Sequence, residues 1–217
     1  MKNKINKKRG AQRLALLMSL LLLQGTWAWA GDPQSAMQET VDRVMDILTD
    51  PALAGDEFWQ ERRDRVAKAV AERFDFAEMA RLSLAKAWNE RNEAERERFV
   101  SLFKELLKNT YVERLKTYSD GSYEVIFDKV LVRGKKALVS SMVMQQGREI
   151  AASYKMYQRG NEWFVYDVVI EGVSLVSNYR SQFAGVIQQE GYEALVRRLE
   201  EKVSETVEAQ PDAPGLS

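Results

Sequence analysis

The chain has 217 residues, 32 basic and 32 acidic, with no cysteine and no histidine. Without histidine it has no His-based catalytic triad and none of the common His-containing zinc sites, which leaves aspartate, glutamate, lysine and tyrosine as candidate catalysts. The lack of cysteine is neutral on compartment, because exported bacterial domains with a large enough core need no disulfide.

Residues 1–30 read as an export signal. Lys2, Lys4, Lys7, Lys8, Arg9 and Arg13 make a basic leader, residues 14–23 an apolar run, and Ala28-Trp29-Ala30 a small-residue site for cleavage before Gly31. The apolar run is too short to cross a bilayer core of about 30 Å as a helix. No cysteine follows the expected cleavage point, so lipoprotein attachment is not expected and the mature chain should be a soluble exported protein. Removing six basic residues leaves 26 basic against 32 acidic, a net of −6, which argues against nucleic acid and against adsorption to anionic lipid.

The rest fits one domain, residues 31–207, mainly helical over 31–120, sheet over 121–171 and helical again over 172–207. Asp32-Pro33 supplies a cap and first-turn proline for a helix carrying Met37, Val41, Val44, Met45 and Leu48, and Asp50-Pro51 closes it. A second helix is expected over 57–73, with Phe58, Trp59, Arg62, Val66 and Val70 on one side. Asp75 and Glu78 form a capping pair for a short helix with Met79, Leu82 and Leu84 that ends near Trp88. Asn92, with Glu95 three residues on, caps a long helix whose apolar series runs Phe99, Leu102, Phe103, Leu106, Leu107, Tyr111, Leu115 and Tyr118. Its expected length is about 25 residues, or roughly 38 Å. Such an aromatic stripe serves either core packing or the wall of a ligand cavity.

Turns at Gly134, Gly147 and Gly160 divide four strands, over 122–132, 136–145, 149–158 and 162–170, which should pair as an antiparallel meander. Alternation places Tyr123 with Val125, Leu138 with Met142 and Met144, and Ile150 with Ala152, Tyr154 and Met156. On the fourth strand Phe164, Tyr166, Val168 and Ile170 share a face and leave Asp167 on the other. The methionines either fill gaps in a core or offer an adaptable surface to an irregular apolar guest. Residues 208–217, with two prolines and a glycine among small residues, read as a disordered tail.

No Gly-rich phosphate loop, HExxH or GxSxG motif occurs. Asp167 is the one acid embedded in an apolar strand. It is either a catalytic acid in a sheet-walled pocket or a structural group bonding a helix end or an arginine such as Arg62. Glu171 and Asn178 read as caps or rim contacts.

The run over 163–199 combines an alternating strand with Tyr166-Asp167, a turn at Glu171-Gly172-Val173-Ser174, a helix, a break at Gly191-Tyr192 and a second helix. This order resembles the C-terminal part of the MlaC family, the periplasmic phospholipid-binding components of an ABC lipid-transport system, also known as toluene-tolerance auxiliary proteins. Phe74-Asp75-Phe76 followed by Met79-Ala80, Leu84 and Trp88, and the spacing of Phe99, Phe103, Leu107, Tyr111, Leu115 and Tyr118, are similar to that family as well. Together the similarities extend over nearly all of the mature chain.

The resemblance implies an α+β fold, a four-stranded twisted antiparallel sheet of NTF2-like kind wrapped by a helical subdomain. It implies no enzymatic activity, no cofactor or metal, and a diacyl phospholipid as ligand, tails buried and headgroup largely outside. The implied partners are an outer-membrane lipoprotein complex and an inner-membrane ABC transporter with its periplasmic substrate-binding subunit, served by a monomeric carrier that helps maintain outer-membrane lipid asymmetry. By face and by position within the resemblance, the expected lining is Phe76, Leu84, Tyr111, Leu115, Met142, Met144, Tyr154, Met156, Tyr166, Val168, Ile170, Val173 and Val176. Two other readings stay open, an NTF2-like enzyme using Asp167 and a periplasmic interaction module with a dry core.

Overall fold

The computed structural model describes residues 31–112, 115, 123–145 and 147–208. The expected export signal, most of the tail and the end of the long helix lie outside them.

Asp32 opens α1 (Pro33–Leu48): its carboxylate accepts from Ser35 N at 2.8 Å, and Pro33 fills the first turn, where no N–H is needed. Two short 3₁₀ turns, Pro51–Leu53 and Asp56–Phe58, lead into α2 (Trp59–Arg73), which starts at Trp59, two residues later than the sequence suggests. Arg62 lies buried on α2 and donates to the carbonyls of Leu48 at 3.4 Å and Gly55 at 3.0 Å, closing the α1–α2 connection. It does not reach Asp167.

Asp75 caps α3 (Phe76–Leu84) by accepting from Glu78 N at 2.9 Å. Ala85, at φ 51°, breaks the chain before the single turn of α4 (Lys86–Asn89). The expected box closes α5 (Glu93–Leu107), with Asn92 accepting from Glu95 N at 2.9 Å and Glu95 accepting from Asn92 N at 2.8 Å. This helix is shorter than its apolar pattern suggests, because regular α geometry ends at Leu107 and widens into a π-helical turn, Lys108–Val112. The widening coincides with Asn109, a buried amide that accepts from Arg63 on α2 and donates to Val203 O at 3.4 Å.

The sheet has five strands rather than four, ordered as in sequence and all antiparallel: β1 (Tyr123–Arg133), β2 (Lys136–Gln145), β3 (Arg148–Arg159), β4 (Glu162–Ile170) and the two-residue β5 (Val173–Ser174). The fifth strand is the Glu171-Gly172 turn folding back on β4, with φ 49° and 80° at those two residues. Ser174 then caps α6 (Leu175–Glu190), accepting from Ser177 N at 3.1 Å. Gly191, at φ 85°, separates it from α7 (Tyr192–Glu208).

A register shift in β4 corrects the expected faces. Lys155 pairs with Asp167 but Met156 pairs with Val165, so Tyr166 is an extra residue. The bulge resets the alternation: Trp163, Val165, Val168 and Ile170 share the inner face, with Phe164, Tyr166 and Asp167 on the outer one. A second shift between Phe127 and Lys129 does the same for β1, placing Phe127 and Val130 together on the inner face.

Three apolar clusters result. The inner face of the sheet packs under Met37 of α1, with Ala137, Val139, Met156, Trp163, Val165 and Val168. The far half of α1 packs on α2 through Val44, Leu48, Trp59, Val66, Ala69 and Val112. The helical half, α3 with α5, α6 and α7, closes around Phe99 and Phe103. Phe74 touches both the sheet cluster and the helical cluster, and it bridges the backbone of Val165.

Candidate functional site

The inner-face cluster is walled by the sheet and roofed by α1, and its two ends differ. At one end the roof is tied down: Trp163 Nε1 donates to Gly31 O at 2.5 Å, and Arg73 donates to Thr40 Oγ1 at 3.2 Å and to Trp163 O at 2.9 Å. Ala137, Met156, Trp163 and Val165 are buried there. Toward the β2–β3 hairpin the same face opens. Ile150 and Ile170 are half-buried, Arg148 is exposed, and Val173 on the adjoining β5 is 56% exposed.

Between the ends sit Ser141 of β2 and Tyr154 of β3, both bearing hydroxyls on this face. Burial pushes the Tyr154 phenol above its usual range, and the neighbouring Ser141 hydroxyl acts in the opposite direction. The two feel each other, yet Ser141 Oγ makes no bond of hydrogen-bond geometry among the described residues.

Asp167 lies on the outer face, 3% exposed, with its carboxylate committed. Oδ2 accepts from Lys155 Nζ at 2.7 Å and Ser174 Oγ at 2.6 Å, and Oδ1 accepts from Val176 N at 3.1 Å. It therefore fastens the start of α6 to the sheet and faces away from the inner cluster. Glu171 is also a turn fastener, its carboxylate accepting from Ala151 N at 2.5 Å.

Of the thirteen residues expected from sequence to line a pocket, Tyr154, Met156, Val168 and Ile170 come together on the inner face. Phe76, Leu84, Tyr111 and Val176 belong to the helical cluster, and Leu115 packs beside Val112 under α1 and α2. Met142 and Met144 share a face as expected, but it is the outer one. Tyr166 is also on the outer face, against Tyr157 with ring centroids 6.2 Å apart. Val173 sits exposed on the turn.

Inner-face residues the sequence did not mark for this site are Met37, Val139, Ser141, Trp163 and Val165. Both parities of β2 and β4 are apolar, so alternation alone offered no choice between faces there. Two depressions lie elsewhere, beside α1 and α2. One is a small cavity of about 30 Å³ bounded by Glu39, Thr40 and Arg73, and the other an open groove of about 270 Å³ over Ile47 and Ala69, rimmed by Arg43, Arg65 and Lys68. Neither is lined by residues of the inner-face cluster.

The family model described as MlaC protein matches residues 38–201, which includes α1 from its second turn, the sheet and most of α7. The chain belongs to the MlaC family. A relative in Haemophilus influenzae, the intermembrane phospholipid transport system binding protein MlaC, is 25% identical over 119 residues, covering 52% of this chain and 55% of that protein. The chain thus spans about half the length of this curated relative. A solved structure, the phospholipid-binding protein from Ralstonia solanacearum in complex with a phospholipid, superposes with a TM-score of 0.72 at 26% identity, covering 82% of this chain and 99% of the other.

Proposed function

We propose that this chain is a periplasmic phospholipid carrier, holding acyl chains against the inner face of the sheet under α1 and moving lipid between membrane complexes. The observation that carries the reading is the inner-face cluster itself: an apolar wall closed at the Trp163 end and open at the hairpin end, in a family member similar to a protein solved with phospholipid. On this reading Tyr154, Met156, Val168 and Ile170 line the site with Met37, Val139 and Val165. The headgroup emerges past Ile150 and Val173, and residues 31–207 act as one lipid-binding domain behind a cleaved export signal.

The energetics support a carrier that needs no strong headgroup contact. Each acyl CH₂ withdrawn from water contributes about 0.8 kcal/mol, so a chain of about 16 carbons contributes roughly 12 kcal/mol. Exchange with a membrane swaps one apolar medium for another, so net transfer is close to balanced and direction comes from the partners. We infer those to be an outer-membrane lipoprotein complex and an inner-membrane ATP-driven transporter, which would make this a component of retrograde transport preserving outer-membrane asymmetry. Among the described residues no helix is long and apolar enough to cross a membrane, as a shuttling carrier requires. The alternative of an enzyme using Asp167 is disfavoured by the three donors that occupy its carboxylate.

Native mass spectrometry of the protein purified from the periplasm, with lipid extraction of the same sample, tests the reading. A stoichiometric adduct of phospholipid mass, lost in Val168→Glu or Ile170→Glu with the fold retained, is the expected result. A protein that arrives empty and takes no lipid from vesicles would overturn it.

A further inference from the structure

The inner face is apolar along most of its length, which makes the hydroxyls of Ser141 and Tyr154 at its middle conspicuous. Ser141 is 4% exposed and its Oγ has no partner of hydrogen-bond geometry among the described residues, while Tyr154, paired with Val139 on the neighbouring strand, shares the same face. A buried hydroxyl without a partner costs stability, and a Val or Ala at position 141 would remove that cost. The pair is placed at the step between two environments. Val139 and Met156, one alternation deeper on their strands, are 0% exposed, whereas Val143 and Ile150, one alternation outward beyond Ser141 and Ala152, are half-buried.

Resting on the lipid-carrier reading, we propose that Ser141 and Tyr154 form a polar seat for an acyl ester carbonyl of the bound lipid. The chemistry fits this group better than the others a phospholipid carries. Two neutral O–H donors match the two lone pairs of one carbonyl oxygen. A phosphate would leave its charge buried at a place where neither side chain can neutralise it. The carbonyl is also the polar atom directly joined to the acyl chain. With the tail along Val139 and Met156 toward the Trp163 end, it falls at the step where the hydroxyls stand. The phosphate then continues past Val143 and Ile150 to the exposed rim at Arg148 and Glu149. The seat fixes how deep the chain enters and makes the protein a reader of ester linkage, whatever the headgroup.

The test compares a diacyl phosphatidylglycerol with its dialkyl ether counterpart of equal chain length, which lacks the carbonyls. Binding to the full mature protein, to Ser141→Ala, to Tyr154→Phe and to the double variant is measured by transfer from vesicles. Removing the seat is expected to weaken diester binding roughly three- to tenfold more than diether binding, the size of one or two net hydrogen bonds. Because the readout is the diester-to-diether ratio within each protein, any general loss of stability cancels. A ratio that is the same in wild type and double variant overturns the seat while leaving the carrier intact. Failure of the unaltered protein to take either lipid overturns both.

Discussion

The two large clusters of this molecule are built from different materials. The helical cluster is aromatic and interlocked: Phe103 meets Tyr179 edge-on at 5.2 Å and Phe183 at 5.8 Å, and Phe99 meets Phe183 edge-on at 5.6 Å. The sheet cluster is mostly aliphatic, with Met37 and Met156 at its centre, two hydroxyls on its wall and half-buried residues at its open end. Rings locked edge to face have few alternative arrangements, whereas methionine repacks through three rotatable bonds. On the proposed carrier reading, the helical cluster holds the fold and the sheet cluster is the one suited to receive a guest.

One substitution in each cluster breaks or sharpens that division. Phe103→Ala removes a side chain that is 0% exposed and strips three aromatic contacts, so a loss of about 3–5 kcal/mol in denaturant unfolding is expected. Met156→Leu, at an equally buried position in the sheet cluster, should cost less than about 1.5 kcal/mol because volume is conserved and neighbours can adjust. The same substitution is expected to alter lipid exchange rates more than stability. Equal losses at the two sites would erase the distinction between a rigid half and an adaptable one.

The joint between the halves gives the next effect in size. Asp167 accepts three hydrogen bonds, one from Lys155 on β3 and two that tie β4 to the start of α6 from neutral donors that stay inside when it is removed. Lys155, by contrast, is 38% exposed in its side chain and can turn to water. Asp167→Ala should therefore cost about 2–3 kcal/mol, below the penalty of a fully buried broken pair. Hydrogen exchange should localise the loosening to the first turn of α6, with Phe99 and Phe103 unaffected. Loss of activity without such loosening would return Asp167 to consideration as a chemical group.

Helix starts were legible in sequence because caps are local chemistry, as at Asp32, Asp75 and Asn92. The meander was legible for a similar reason, its turns resting on glycines that the structure places at positive φ. What alternation could not reveal was the extra residue at Tyr166, since a bulge shifts parity without leaving a mark in a strand with apolar residues on both parities. That single residue moved Trp163 and Val165 inward and Phe164 and Tyr166 outward. Met142 and Met144 were grouped correctly, but which face meets α1 is decided by tertiary packing. Ser141 went unmarked as well, because one serine in a strand signals nothing until its surroundings prove dry.

The smallest effect concerns the contact where Tyr157 donates to Asp75, the residue that caps α3 and also pairs with Arg159 at 3.3 Å. Burial, the hydrogen bond and the Asp75 charge push the Tyr157 phenol up from 10.0 to about 12, with Arg159 pulling the other way. The neutral phenol is favoured in the folded state, so its stabilisation is complete below the unfolded value near 10. It fades as the phenol ionises between there and about 12. Unfolding midpoints should decline through that window in the native protein, and Tyr157→Phe should flatten the decline while lowering stability slightly at neutral pH. An alkaline limb identical in the variant would mean that Asp75 holds α3 to the sheet edge through its backbone bond to Val165 at 2.8 Å, with the phenol a bystander.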